Sequence, residues 1–130
     1  MALFGLTDTD AIVDTLRARG GRTTFSDLVR QQALAISAVS VFELEFGVAP
    51  EDDLQRQRLD GLVASLTILN LDARAARTAA EVRRLLESVG LRIDPMEALI
   101  AGVALANDLP LITRNLRHFE RVPGLRIITY

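Results

Sequence analysis

The chain has 130 residues, which favours one domain, and 49% of them are apolar, enough for a core without disulfide or metal staples. Cysteine is absent, which removes disulfides, thiolate metal sites and cysteine nucleophiles together. The net charge of −2 gives no whole-molecule attraction to nucleic acid and leaves only local attraction open.

All fifteen basic residues are arginine, so mechanisms that need a catalytic lysine are closed. The single histidine, His118, is a poor foundation for a catalytic triad. No apolar run is long enough to span a bilayer, and no basic segment followed by a secretory core opens the sequence. The expectation is a cytoplasmic protein with no membrane partner.

In chain order, "ALFGL" reads as a first strand, followed by a helix from about Asp10 to Arg19. Gly20 and Gly21 break it, and Phe25 to Gln32 makes a short second helix. "ALAIS" is a buried strand with the helix "VFELEFGV" behind it; Pro50 marks a break, and helical periodicity resumes over Asp52–Ser65. "LTILNL" is a third strand. Asp72–Ser88 is the longest helix, ended by Gly90, with Ala75, Ala76, Ala79, Val82 and Leu85–Leu86 as its apolar stripe. Pro95–Ala106 is apolar nearly all round and therefore a buried helix. "PLIT" is a fourth strand, Leu116–Arg121 a short helix and "LRIIT" a last strand. Apolar strands alternating with helices predict an α/β fold, a parallel sheet covered on both faces.

Ligands of such sheets gather beyond the C-terminal ends of the strands. Asp8 and Asp10 follow the first strand, Glu43 the second, and Asn115 the fourth, while Asp94 and Glu97 open the buried helix. Each pair also fits a simpler role. Thr7–Asp10, Ser40–Glu43 and Asp94–Glu97 have the spacing of a capping box, and Pro95 suits a first helical position. Their convergence on one rim argues for more. Carboxylates gathered in a partly dry cleft repel one another, so they take up protons or bind a cation. Oxygen ligands without histidine or thiolate suit Mg²⁺ or Mn²⁺ better than zinc.

The segments "TDTDAIVD", "ISAVSVFELEFG", "DPMEALIAGVALANDLPLITRN" and "RHFERVPGLRI" resemble, in order and spacing, the motifs of PIN-domain ribonucleases. Within them the likeness is to the VapC toxins of bacterial toxin–antitoxin pairs. The resemblance implies a single PIN-like domain over 1–130, a three-layer α/β/α sandwich with a mainly parallel central sheet of about five strands. It implies metal-dependent endoribonuclease activity with Mg²⁺ or Mn²⁺. The family's acids fall on Asp8, Glu43 and Glu97, and its fourth polar position on Asn115. Asp8 and Glu97 would hold the metal, directly or through water, Glu43 would orient or deprotonate water, and Asn115 would serve an outer shell or a second ion. Asp10, Asp94 and Thr113 are supporting positions. The family usually has aspartate where this chain has Glu97, and Asp94 stands where many relatives have glycine.

Arg114, Arg117 and Arg121 are candidate phosphate contacts, the last two on one helix face. No aromatic platform for bases is evident, because the five phenylalanines read mostly as core, and His118 is left without a role. The resemblance further implies an RNA substrate, a homodimer and a VapB-like antitoxin that assembles with it and inhibits it. Such an antitoxin's groove would involve Phe42–Leu66, with Val48 and Leu54 exposed. Two other readings compete. One is a PIN-like binding module with a weakened site; the other is a DxD-type phosphohydrolase, which normally needs a late lysine that this chain lacks.

Overall fold

The structure is a computed structural model that describes residues 2–17, 27, 29 and 32–130. The helix expected over 25–32, and the Gly20–Gly21 break, lie largely outside the described residues. Among the described residues there are five strands: β1 (Gly5–Thr7), β2 (Leu34–Ser37), β3 (Thr67–Leu69), β4 (Leu111–Ile112) and β5 (Ile127–Ile128). They form one sheet in the order β3-β2-β1-β4-β5, and every neighbouring pair is parallel. The helices used below are α1 (Thr9–Arg17), α2 (Ala38–Gly47), α3 (Asp53–Ala64), α4 (Ala73–Ser88), α5 (Pro95–Ala106) and α6 (Leu116–Phe119).

Side chains along a strand alternate between the two faces of a sheet, and here each face has its own core. Leu34, Ile36 and Ile112 join Ala11, Ile12, Leu44 and Leu59 of α1, α2 and α3. Leu6, Ala35 and Leu111 instead join residues of α4 and α5, together with Phe119 of α6. Phe119 is fully buried, and its burial is worth about 1.5–3 kcal/mol. The three-layer arrangement is the one expected from the alternating pattern.

The α4–α5 contact is the closest helix approach that the glycines reveal. A Cβ on Gly102 would lie 2.5 Å from the Ala75 carbonyl oxygen and 2.8 Å from Ala79 Cβ. The small residues at 75, 79 and 102 thus let two backbones meet, which explains why α5 is apolar almost all round. At the other end of α4, Gly90 (φ 78°) takes a left-handed conformation. Its N–H donates to the Glu87 carbonyl and that of Leu91 to the Leu86 carbonyl, so the chain turns sharply toward α5.

Some expectations are corrected. Phe4, Phe42 and Phe46 are exposed, at 36%, 59% and 86%, and among the described phenylalanines only Phe119 is core. Alternation of apolar and acidic residues in "VFELEFG" puts Leu44 inward and turns Phe42 and Phe46 outward. Val48 is buried whereas Leu54 is exposed, and Leu85 on α4 is half exposed. The helix expected over Leu116–Arg121 ends at Phe119. No helix among the described residues is long and apolar enough to cross a membrane.

Candidate active site

Strand order reverses at β1: the chain runs outward to β2 and β3, then returns to place β4 on the other side. The crevice at such a reversal lies past the C-terminal strand ends, where no crossover helix fills it. Asp8 follows β1 directly, held by its N–H donating to the Ile112 carbonyl of β4. Thr113 follows β4, and the Thr113 hydroxyl donates to Asp8 Oδ2 at 2.8 Å across 105 residues of sequence.

From this pair a continuous hydrogen-bonded chain runs in both directions. On one side the Thr9 N–H donates to Asp8 Oδ1 at 2.8 Å, and the Thr9 hydroxyl donates to Glu43 Oε1 at 2.7 Å. Ser40 Oγ lies 2.8 Å from the same hydroxyl. On the other side the Asn115 N–H donates to Thr113 Oγ1 at 2.9 Å, and Asn115 Nδ2 donates to Glu97 Oε2 at 3.2 Å. His118 Nδ1 closes the chain 2.9 Å from Glu97 Oε2. A carboxylate can only accept, so this contact needs the proton on Nδ1; Asn115 Nδ2, 3.1 Å from the same nitrogen, then has Glu97 as its acceptor.

The structure therefore brings Asp8, Glu43, Glu97, Asn115 and Thr113 into one network. Asp10 and Asp94 line the same cleft, of about 380 Å³, with Asp8, Glu43, Glu97 and His118. Asp8 is almost fully buried. Burial, above all, pushes its carboxyl up from 3.8 to about 6, with Asp10 and Glu97 adding repulsion against the hydrogen bonds from Thr113 and Thr9. A carboxylate held in this way gains from a nearby cation.

The three cap-like spacings have different fates. Asp94 is a true N-cap: Oδ1 accepts from Met96 N at 2.9 Å and from Glu97 N at 3.4 Å, with Pro95 in the first turn. Ser40 is not a cap. Ser37 caps α2, accepting from Ser40 N at 3.1 Å, so α2 starts one turn earlier than the sequence suggests and Glu43 lies inside it. Thr7 is not a cap either, since its hydroxyl donates to the Ala35 carbonyl. Asn115 occupies an N-cap position without using its side chain as a cap, which leaves that amide for Glu97.

The expected phosphate contacts also divide. Arg114 turns away, with Nη2 3.0 Å from Asp14 Oδ1, and Asp14 also accepts from the Tyr130 hydroxyl. Arg117 and Arg121 stay on the rim, beside a larger trench. Sequence reasoning missed His118 and Thr9. Asn115, the residue that precedes α6, and His118, three positions on, lie on one side of that turn, and that spacing was the available signal for His118.

An oxygen-rich cleft around a buried, repelled carboxylate fits a hard divalent ion. No three Asp, Glu or His side chains among the described residues form a ready-made metal cage. An open site, in which one or two carboxylates bind and waters complete the shell, would need no such cage. Asp8 and Glu97, which share the cleft, could hold such an ion.

The PIN domain family model matches residues 6–125. This chain belongs to the PIN domain family. Among its relatives, the tRNA(fMet)-specific endonuclease VapC of Salmonella typhimurium is 31% identical over 124 residues, covering 92% of each chain. Ribonuclease VapC2 of Rickettsia felis is 32% identical over 100 residues, 75% of each. The fold also matches solved complexes. DNA-bound VapBC from Salmonella typhimurium superposes with a TM-score of 0.87 at 28% identity, covering 98% of both chains. VapBC2 from Rickettsia felis, bound to a promoter DNA fragment, gives 0.86 at 26% identity, covering 96% of this chain and 97% of that one.

Proposed function

We propose that this chain is a divalent-metal-dependent endoribonuclease of the VapC type, the toxin of a toxin–antitoxin pair. The observation that carries the reading is the unbroken hydrogen-bonded chain from Glu43 through Asp8 and Asn115 to Glu97. Four separate segments supply it, at the crevice where sheets of this kind bind ligands. The relatives' names supply the chemical class.

Asp8 and Glu97 would hold Mg²⁺ or Mn²⁺. When bound, the ion supplies Lewis acidity at the phosphoryl oxygens and makes water easier to deprotonate near neutral pH. Thr113 and the Thr9 N–H fix Asp8 so that its carboxylate needs no reorganisation as charge builds up. Glu43, aimed by the Thr9 hydroxyl, orients the attacking water and accepts its proton. Asn115 and His118 keep Glu97 in one rotamer from outside, as partners of metal ligands commonly do. No step requires lysine.

A homodimer that assembles with a VapB-like antitoxin completes the reading. The apolar side chains of Phe42 and Phe46 on α2, the helix that carries Glu43, and of Leu54 on α3 are exposed and are the surface an antitoxin segment would cover. An arginine from such a segment could meet the acids bidentately in place of the ion.

The test uses protein freed of any partner, with single-stranded RNA and an RNA hairpin as substrates. Cleavage in Mg²⁺ or Mn²⁺, arrest by EDTA, and loss of cleavage in Asp8→Asn with an unchanged circular dichroism spectrum are expected. Full activity of Asp8→Asn in EDTA would refute the assignment.

A further inference from the structure

The acid cleft has a neighbour. A trench of about 1070 Å³ runs beside it, and the two share Asp94, Glu97 and His118 as a common wall. Arg83, Arg92, Arg117 and Arg121 line the trench. Its floor exists because Gly90 turns the chain out of α4, with Ile93 buried as the anchor that leaves Arg92 exposed.

The charges of these four arginines are unequally spent. Arg83 is tied to Glu87 at 3.2 Å. Arg121 donates to two main-chain carbonyls, those of Arg92 at 2.6 Å and His118 at 3.3 Å, which fixes the guanidinium without neutralising it. Among the described residues, Arg92 and Arg117 meet no carboxylate at ion-pair distance. The lining also holds Glu87, Asp94 and Glu97, so four arginines face three acids there, and among the described residues the guanidiniums of Arg92, Arg117 and Arg121 are the ones with no carboxylate at ion-pair distance. Arg114, by contrast, is compensated by Asp14 on a different side of the rim.

We infer that this trench holds the phosphodiester backbone flanking the scissile bond, with Arg92 and Arg117 as its principal phosphate contacts. The inference rests on the nuclease reading and gives it a direction: the strand leaves the acids past Glu97 and His118, not past Arg114. A polymer whose cut phosphate lies at the acids must place its neighbours in an adjoining space, and the shared wall makes the trench that space. Guanidinium forks suit phosphate oxygens. Phe, Tyr and Trp are absent from the described lining, and guanidinium contacts to phosphate are independent of base identity.

The experiment measures anisotropy of a fluorescein-labelled single-stranded RNA, in Mg²⁺, on the Asp8→Asn protein so that nothing is cut. Arg92→Ala/Arg117→Ala is compared with the parent and with Arg58→Ala/Arg74→Ala, which removes the same charge from exposed positions outside the trench. The trench variant should bind about tenfold more weakly at 0.1 M salt. The slope of log affinity against log salt should shrink by about 1.4, twice the single-strand value per phosphate. In the Asp8 protein the same pair should raise KM and leave kcat within about twofold. Equal affinity and slope in trench and control variants, while the wild type still cuts RNA, would overturn the trench alone. RNA neither bound nor cut by the wild type would overturn the nuclease reading and the trench with it. Loss of poly-glutamate binding with RNA affinity intact would reassign the trench to acidic peptides and so also overturn it.

Discussion

The rim of the sheet and the α4–α5 contact are built on opposite rules. Where α4 meets α5, small side chains let two backbones approach, nothing polar is left over, and a single added methyl has no room. At the rim, Asp8 is buried beside other acids, and its hydrogen bonds only partly offset the cost of ionising it. The first region is complementary to itself. The second costs stability on its own, and under the proposed function a bound cation would offset that cost.

The contrast is broken most directly at Asp8. Asp8→Asn should reduce cleavage to the assay background and yet raise the melting temperature at pH 7 in EDTA, because the uncompensated charge is gone. A variant that is both inactive and less stable would place Asp8 with the structural groups. Differential scanning calorimetry beside an RNA cleavage assay reads both.

The opposite pairing is expected from Gly102→Ala. Its Cβ would press on the Ala75 carbonyl and on Ala79, so about 1–3 kcal/mol of stability should be lost. The surviving folded fraction should cut RNA at an unchanged rate per folded molecule, as urea denaturation and active-site titration would show. An intermediate case is His118→Ala, which leaves Glu97 held by Asn115 alone. Mn²⁺ affinity, followed by isothermal titration, should fall about 10–100-fold with little change in melting temperature.

The dependence on pH sharpens the same comparison. Asp8 in the fold lies above its ordinary value, at about 6 against 3.8. Its protonated form therefore stabilises the metal-free protein fully below about pH 4, and that contribution is lost as pH rises through about 6, a change of about 3 kcal/mol. Asp8→Asn should flatten this part of the stability profile, and Mn²⁺ should restore stability at pH 7 in the wild type only. Smallest of all is the effect of Asp94→Asn. An asparagine can still cap α5, so cleavage should stay within about threefold and stability within about 0.5 kcal/mol. In Glu97→Gln, by contrast, activity should disappear.

Much of the rim was legible because each acid follows the end of an apolar strand or opens a buried helix. Asp8, Asp10, Glu43, Asp94, Glu97 and Asn115 could be placed on one edge from that pattern alone, whereas Thr113 entered only through the family resemblance. What the pattern could not supply was the state of each side chain. A cap-like spacing fits Ser40–Glu43 as well as Asp94–Glu97, and only in the second is the leading residue the cap. Arg114 and Arg117 are equivalent in sequence, yet one meets Asp14 and the other faces the trench. Phe42 and Phe46 misled because hydrophobicity implies burial only where another layer covers the side chain.

The sequence by itself determined the alternation of strands and helices, the two-sided core and the collection of acids at one edge. Each of these follows from the period of apolar residues, a local property that decides which face leaves water. The tertiary structure decided the partners: Thr113 with Asp8 across 105 residues, His118 with Glu97, Arg114 with Asp14. Those pairings depend on β4 lying beside β1 in the sheet order, which is fixed by how whole layers fit together and is written in no single segment.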